Sequence, residues 1–246
     1  AFNGLAKKYL KSKRVALKNN SDIHIVSPSN WMGDCVYNSA LLQDCPQQII
    51  PNGLDLNVFR SSDKSEARQI LGLPEKDPII LFAADSVGNK RKGMDVLSKA
   101  LNILGKKNQI ALCTVGKKMQ SDNHRNLYQF GFVSDEKKMA LLYSAADLTV
   151  VPSKIESFGQ VAAESMACGT AAVAFGIGGS LDIIDHKING YLAEAHDPQD
   201  LADGIMYGLE NRNILGDEAV KKIDRYFDIE IVNKQYIELY NGILNI

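Results

Sequence analysis

An α/β fold, a Rossmann-like parallel sheet with helices on both faces, is the class this chain of 246 residues predicts. Three observations carry the prediction. Short apolar runs at residues 78–84, 109–115, 148–151 and 171–175 are bounded by polar or turn residues, as strands buried on both faces are. Stretches with helical spacing separate them. In residues 147–175 both patterns join as strand, loop, helix and strand, a unit whose crossover is right-handed and leaves the loop and helix start at the carboxyl edge of the sheet.

Taken in order, residues 2–20 read as a helix with Phe2, Leu5, Ala6 and Tyr9 on one side and Lys7, Lys8, Lys11, Lys13, Arg14 and Lys18 over much of the rest. Such a helix either presents a solvated face or lies on an anionic membrane surface. Residues 22–27 read as a strand, Pro28-Ser29-Asn30 as a helix start for residues 31–42, and residues 48–51 as a second strand ending in the turn Asn52-Gly53. A short helix is expected over 61–73, capped by Ser62 or Asp63 and stopped by Gly72 and Pro74. After the strand at 78–84 comes a basic loop with Lys90, Arg91 and Lys92, then an amphipathic helix carrying Met94, Leu97, Leu101 and Leu104. The strand at 109–115 ends in Gly116-Lys117-Lys118, and a strand at 127–130 runs into Gly131-Phe132-Val133, where Phe132 is either plain core or part of a ligand wall. A helix over 134–145 is capped by Ser134. From Phe158 a helix with Val161, Ala162, Ala163, Met166 and Ala167 on its packing side ends at Gly169. The tail from Pro198 onward reads as helices, with Tyr226, Phe227, Tyr236 and Leu239 as packing residues.

Two loops of this scheme carry chemistry. Glu156 precedes the central helix and Glu164 lies inside it, roughly 12 Å further along the axis, a span that suits an extended ligand. N–H groups around Phe158, Gly159 and Gln160 at the helix start form an anion site, and Gly159 admits close backbone approach. Lys90, Arg91 and Lys92 occupy the same sheet edge, where fixed cations can hold a diphosphate and offset charge on a leaving nucleotide. The plain alternatives are a capping Glu156, a solvated Glu164 and a solvated basic turn.

Composition excludes several classes. A formal charge of -1 gives no bulk electrostatic case for nucleic acid as a partner. No apolar run reaches the roughly 18 residues of a membrane span, and no stretch reads as a signal peptide. Cys35, Cys45, Cys113 and Cys168 lack metal or disulfide spacing and read as reduced thiols of a cytosolic protein. His24, His124, His186 and His196 have no nucleophile motif beside them. Gly176-Ile177-Gly178-Gly179-Ser180 lacks the third glycine of a dinucleotide fingerprint and is rejected as an NAD site. Ala1 in place of Met suggests a start inside a longer chain.

The central stretch resembles the signature of retaining GT-B glycosyltransferases of family 4. The residues that carry it are Pro152-Ser153, Glu156-Ser157-Phe158-Gly159, Glu164-Ser165-Met166-Ala167 and Gly169-Thr170. Two departures are Ala171 where the family has proline and Val87 where it has the first arginine of the basic loop; Lys92-Gly93 matches, with Arg91 or Lys90 as the second cation. The resemblance implies a hexosyl transfer from a UDP- or GDP-linked nucleotide sugar to a glycan or lipid-linked acceptor in surface polysaccharide synthesis. It implies Glu156 as the catalytic, donor-sugar contact. Lys92, Arg91, Lys90, Val133, Ser157, Phe158, Gly159 and Glu164 are the implied donor-binding residues, Glu164 through the ribose and Val133 at the base.

The same resemblance divides the chain into the end of an N-terminal acceptor domain (1–50), the C-terminal nucleotide-sugar domain (51–228) and a final helix (229–246) that packs back toward the cleft. No metal and no cofactor are expected, because lysine and arginine do what a magnesium ion does elsewhere. The expected setting is the cytoplasm, with peripheral contact at the inner face of the cell membrane. The resemblance implies that this chain by itself holds the donor without transferring it; a non-catalytic nucleotide-sugar-binding module is the alternative.

Overall fold

The computed structural model describes residues 2–18, 23–105, 109–117 and 126–244. Ala1, Lys118 and His124, the end of the helix expected over 2–20 and the start of the strand expected over 22–27 lie outside them. The first described element is α1 (Phe2–Lys18). Its Lys7, Lys8, Lys11, Lys13 and Arg14 are exposed, and so is Tyr9 at 63%, on the apolar side of the spacing. A small parallel pair follows, β1 (Ile25–Ser27) with β2 (Gln47–Ile49), and between them lies α2 (Asn30–Tyr37). Ser29 caps α2 by accepting from the Met32 N–H. The helix stops well short of residue 42, because the Ser39 hydroxyl accepts from the N–H groups of Leu41 and Leu42 and offers the backbone a local alternative.

The main sheet is parallel, six-stranded and ordered β5-β4-β3-β6-β7-β8. Its strands are β3 (Ile79–Ser86), β4 (Ala111–Lys117), β5 (Leu127–Gln129), β6 (Leu148–Val151), β7 (Ala172–Phe175) and β8 (Gly190–Ala193). Helices α3 (Lys64–Leu71), α4 (Met94–Leu104), α5 (Glu136–Ala145), α6 (Gln160–Ala167), α7 (Ser180–Ile183), α8 (Pro198–Glu210), α9 (Arg212–Tyr226) and α10 (Ile229–Leu244) complete the chain. Alternation along β3 divides the interior. Ile79, Leu81 and Ala83 enter a core shared with α3, α5, α6 and α9, whereas Ile80 and Phe82 enter one shared with α4 and α8. Both sheet faces are therefore covered, the layering that the near-continuous apolar runs predict.

Helix ends follow local chemistry. Asp63 caps α3, and Gly72 closes it in the left-handed region. Asp135, not Ser134, caps α5, since its carboxylate accepts from both Lys137 and Lys138. At the end of α6 the N–H of Gly169 (φ 78) reaches Met166 and that of Thr170 reaches Ser165, a Schellman closure. Phe158 precedes α6 and is buried against Phe227, with ring centroids 5.9 Å apart. Of the expected packing residues of the tail, Phe227 is buried, while Tyr226 is 45% exposed and lies under the Lys222 and Arg225 cations. The chain at Leu54 bonds to Phe227 and Ile229, which seats the start of α10 beside Gly53.

Candidate functional site

The strand order reverses between β3 and β6, because the chain moves outward from β3 to β5 and then returns beside β3. In an open parallel sheet the crevice at such a point, beyond the strands' carboxyl ends, is where ligands bind. Two loops leave β3 and β6 there, and they are locked together. Asn89 accepts from the Arg91 N–H and starts a tight turn over Lys90–Lys92, which closes at Gly93 with φ 76. A Cβ on Gly93 would overlap the Pro152 carbonyl. The Lys154 N–H donates to the Arg91 carbonyl at 2.7 Å, and the Lys154 ammonium pairs with Asp95 at 2.9 Å.

The lock brings Lys92 Nζ to 3.1 Å from Glu156 Oε2. Both side chains are mostly shielded, with 28% and 14% of their surface exposed. Gly93→Ala should destabilise the protein by about 1–3 kcal/mol, through an unfavourable left-handed alanine and the clash with Pro152. Urea unfolding checks it, and a midpoint equal to that of the wild type would refute the lock.

The Glu156 loop is also held from its far side. The Gly179 N–H donates to the Glu156 carbonyl at 2.9 Å, and neither Gly178 nor Gly179 has room for a side chain against the backbone of Glu156 and Phe158. From the β1–β2 unit, the buried Ser29 hydroxyl donates to the Ser157 carbonyl at 2.6 Å. The backbone and side-chain amides of Asn30 donate to Asp182 at 2.7 and 2.9 Å. Ser29, Gly178 and Gly179 therefore shape the site. In the sequence Ser29 was legible only as part of a helix start, and the glycine pair only in a run that served to exclude a dinucleotide site.

A cavity of about 480 Å³ opens beside the locked loops. Arg91, Lys92, Val133 and Glu164 line it, as do Phe132, Glu136 and Tyr143. Glu164 is held at both oxygens, by the Gln160 amide at 2.9 Å and by the Tyr143 hydroxyl at 2.8 Å. Burial raises its carboxyl above the ordinary value, against these two donors, and Glu136 adds to the rise. Tyr143 is pushed well above its ordinary value by burial and by the carboxylate it meets.

Residues 63–226 match the family described as glycosyl transferases group 1. The chain belongs to that family. The D-inositol 3-phosphate glycosyltransferase of Xylanimonas cellulosilytica is 35% identical over 172 residues, 63% of this chain. The chain spans 41% of that relative's length. Sucrose-phosphate synthase from Thermosynechococcus elongatus has a similar fold at 24% identity, with a TM-score of 0.82 over 97% of this chain and 62% of its own. Anabaena HepE, solved in complex with UDP and glucose, is 22% identical with a TM-score of 0.75, over 94% of this chain and 67% of its own.

In this group 1 glycosyltransferase chain the sequence-named site residues do not all converge. Arg91, Lys92, Val133 and Glu164 share the cavity, and Glu156 reaches it through Lys92. Lys90 is exposed and is not among the lining residues. Ser157 is exposed and contributes its carbonyl to Ser29, and Gly159 starts α6 with φ 107. Phe158 is a core residue. Of the two readings open for Phe132, the wall position holds: it is 63% exposed and lines the cavity. Val87, standing where the family's arginine is usual, is buried in the α4–α8 core.

Proposed function

We propose that this chain is the donor-binding part of a retaining glycosyltransferase of family 4, and that the whole protein moves a hexosyl group from a UDP- or GDP-linked sugar. The observation that carries the reading is the meeting of Lys92 and Glu156 at the sheet's reversal point, with Glu164 on the adjoining cavity. Lys92, aided by Arg91, holds the diphosphate and offsets the charge that grows on it as the anomeric bond breaks. Glu156, kept in place by Lys92, Gly179 and the peptide held by Ser29, contacts the sugar and orients its anomeric carbon. Glu164 accepts from the ribose hydroxyls, and Val133 and Phe132 border the base. The HepE neighbour, whose solved complexes contain UDP and UDP-glucose, supports this class of ligand.

Residues 1–50, with their separate two-stranded sheet, are on this reading the end of the acceptor domain, residues 51–228 the donor domain and residues 229–246 the returning helix. Transfer then needs the rest of the acceptor domain. We read the reaction as independent of metal and cofactor and as taking place in the cytoplasm, with the exposed lysines of α1 as a peripheral membrane contact. Among the described residues no helix is long and apolar enough to cross a membrane. A glycan or lipid-linked acceptor in surface polysaccharide synthesis is the first reading. The relatives' name favours a second, a phosphorylated inositol. A non-catalytic nucleotide-sugar-binding module is the alternative to both.

Calorimetric titration with UDP, GDP and their sugar conjugates tests the donor reading. One nucleotide should bind, and Lys92→Ala should weaken it by more than about 1 kcal/mol, the worth of a charge-assisted contact. Absence of binding, or a variant that binds as well as the parent, would overturn the assignment. Restoring the preceding domain and assaying a glycan, a lipid-linked glycan and inositol phosphate separates the acceptors; no turnover with any of them favours the module.

A further inference from the structure

The carboxylate of Glu164 is not free to turn. Tyr143, with none of its surface exposed, donates its hydroxyl to Oε2 from α5, and Gln160 donates its side-chain amide to Oε1 from one turn earlier on α6. A carboxylate offers about four lone-pair positions. One donor on each oxygen leaves acceptor capacity on each, and Glu164 lines the cavity. Two neighbouring acceptors held in one plane match a vicinal diol.

The phenol alone does not explain the arrangement. A glutamine at 164 would satisfy the Tyr143 hydroxyl equally well and would avoid the cost of a half-buried carboxylate facing Glu136. A carboxylate supplies the second acceptor oxygen that the Gln160 amide takes, and keeps capacity on both oxygens for further donors from the cavity. We propose that Tyr143 and Gln160 are positioning residues that make this site selective for ribonucleotides over deoxyribonucleotides, by holding Glu164 as a two-oxygen acceptor for the 2′ and 3′ hydroxyls. The inference rests on the donor-binding reading of Glu164. Preorganisation of this kind saves the cost of immobilising a free carboxylate when the ligand arrives.

Calorimetric titration of the chain with UDP and 2′-deoxy-UDP, and with GDP and 2′-deoxy-GDP, provides the test. The wild type should prefer the ribonucleotide by at least about tenfold, as a hydrogen bond to a charged acceptor predicts. Tyr143→Phe should reduce the preference to about threefold or less, through a larger loss of affinity for the ribonucleotide than for the 2′-deoxy nucleotide, which offers only its 3′ hydroxyl. A purely structural role would lower both affinities together and leave the ratio intact. Because Tyr143 is buried, Gln160→Leu repeats the test at a half-buried position away from the core. A wild-type preference that persists unchanged in both variants overturns the inference alone. A wild type that binds both sugars equally overturns the ribose role of Glu164, and the inference with it.

Discussion

Asp147→Ala should lower the stability of the protein by about 3–5 kcal/mol, the penalty for removing one partner of a buried ion pair. Asp147 sits at the entry of β6 with 8% of its side chain exposed, and Arg68 of α3 meets it at 2.7 Å with 6% exposed. Its other oxygen takes the Lys64 ammonium at 3.0 Å, and the Ile79 N–H at the start of β3 donates at 2.8 Å to the oxygen that Arg68 meets. The carboxylate thus ties α3 to the first residues of the two central strands. Without it the Arg68 guanidinium keeps its bonds to the carbonyls of Ala145 and Glu75 but has no buried counter-charge.

Burial by itself would raise the Asp147 carboxyl; Lys64, the Ile79 N–H and Arg68 outweigh it and hold the group below its ordinary value. A depressed folded value contributes stability that is present above the ordinary carboxylate range and is lost as the pH falls through the folded value. Urea unfolding at neutral pH should therefore show the full deficit in Asp147→Ala, and the deficit should shrink in strong acid. The paired replacement Arg68→Met with Asp147→Leu should recover most of the loss, because the desolvation cost leaves with the charges. A single variant within about 1 kcal/mol of the wild type would mean that the pair carries little.

Asp147 also marks how far the sequence could be read. Its place as the polar start of an apolar run was visible, and β6 begins beside it at Leu148 and ends at Val151 as the run suggested. Its partners were not, because Arg68 lies 79 residues away and nothing local announces it. The same limit applies to Ser29 and Ser157, separated by 128 residues, and to Tyr143 and Glu164, separated by 21. Motif spacing revealed Lys92, Glu156 and Glu164, since each sits on a loop or helix whose location follows from strand order. Burial was harder to foresee at Phe132, open between core and cavity wall, and at Tyr226, expected to pack, because an aromatic residue on a loop or helix end packs only if another element covers it. The cap of α5 was placed at Ser134 instead of Asp135 for a simpler reason. Either residue type suits the role, and the reach of a carboxylate to two N–H groups decided it.

Glu164→Gln should weaken nucleotide binding by about tenfold to a hundredfold while leaving the fold as stable as the wild type or more so. The two halves of this expectation have one source. Burial raises the Glu164 carboxyl, so its charged form is costlier in the folded chain than in the unfolded one. That cost is absent below the unfolded value, grows as the pH rises through the range between the two values, and is complete above the folded one. At neutral pH a neutral amide removes it, and the Tyr143 hydroxyl still finds an oxygen to donate to. The ribose loses more, because the amide keeps one acceptor and turns a donor toward hydroxyls that must donate. Melting temperatures at pH 7 and pH 5, measured beside calorimetric titrations, check both halves; the stability gain should be the smaller at pH 5. A variant that melts several degrees lower and binds as before would make Glu164 a structural residue. The contrast with Asp147 is what gives the test its meaning. Protein cations and a backbone N–H hold Asp147 ionised, so its charge serves the fold. No protein cation pairs with Glu164 among the described residues, and its charge therefore awaits donors from the cavity.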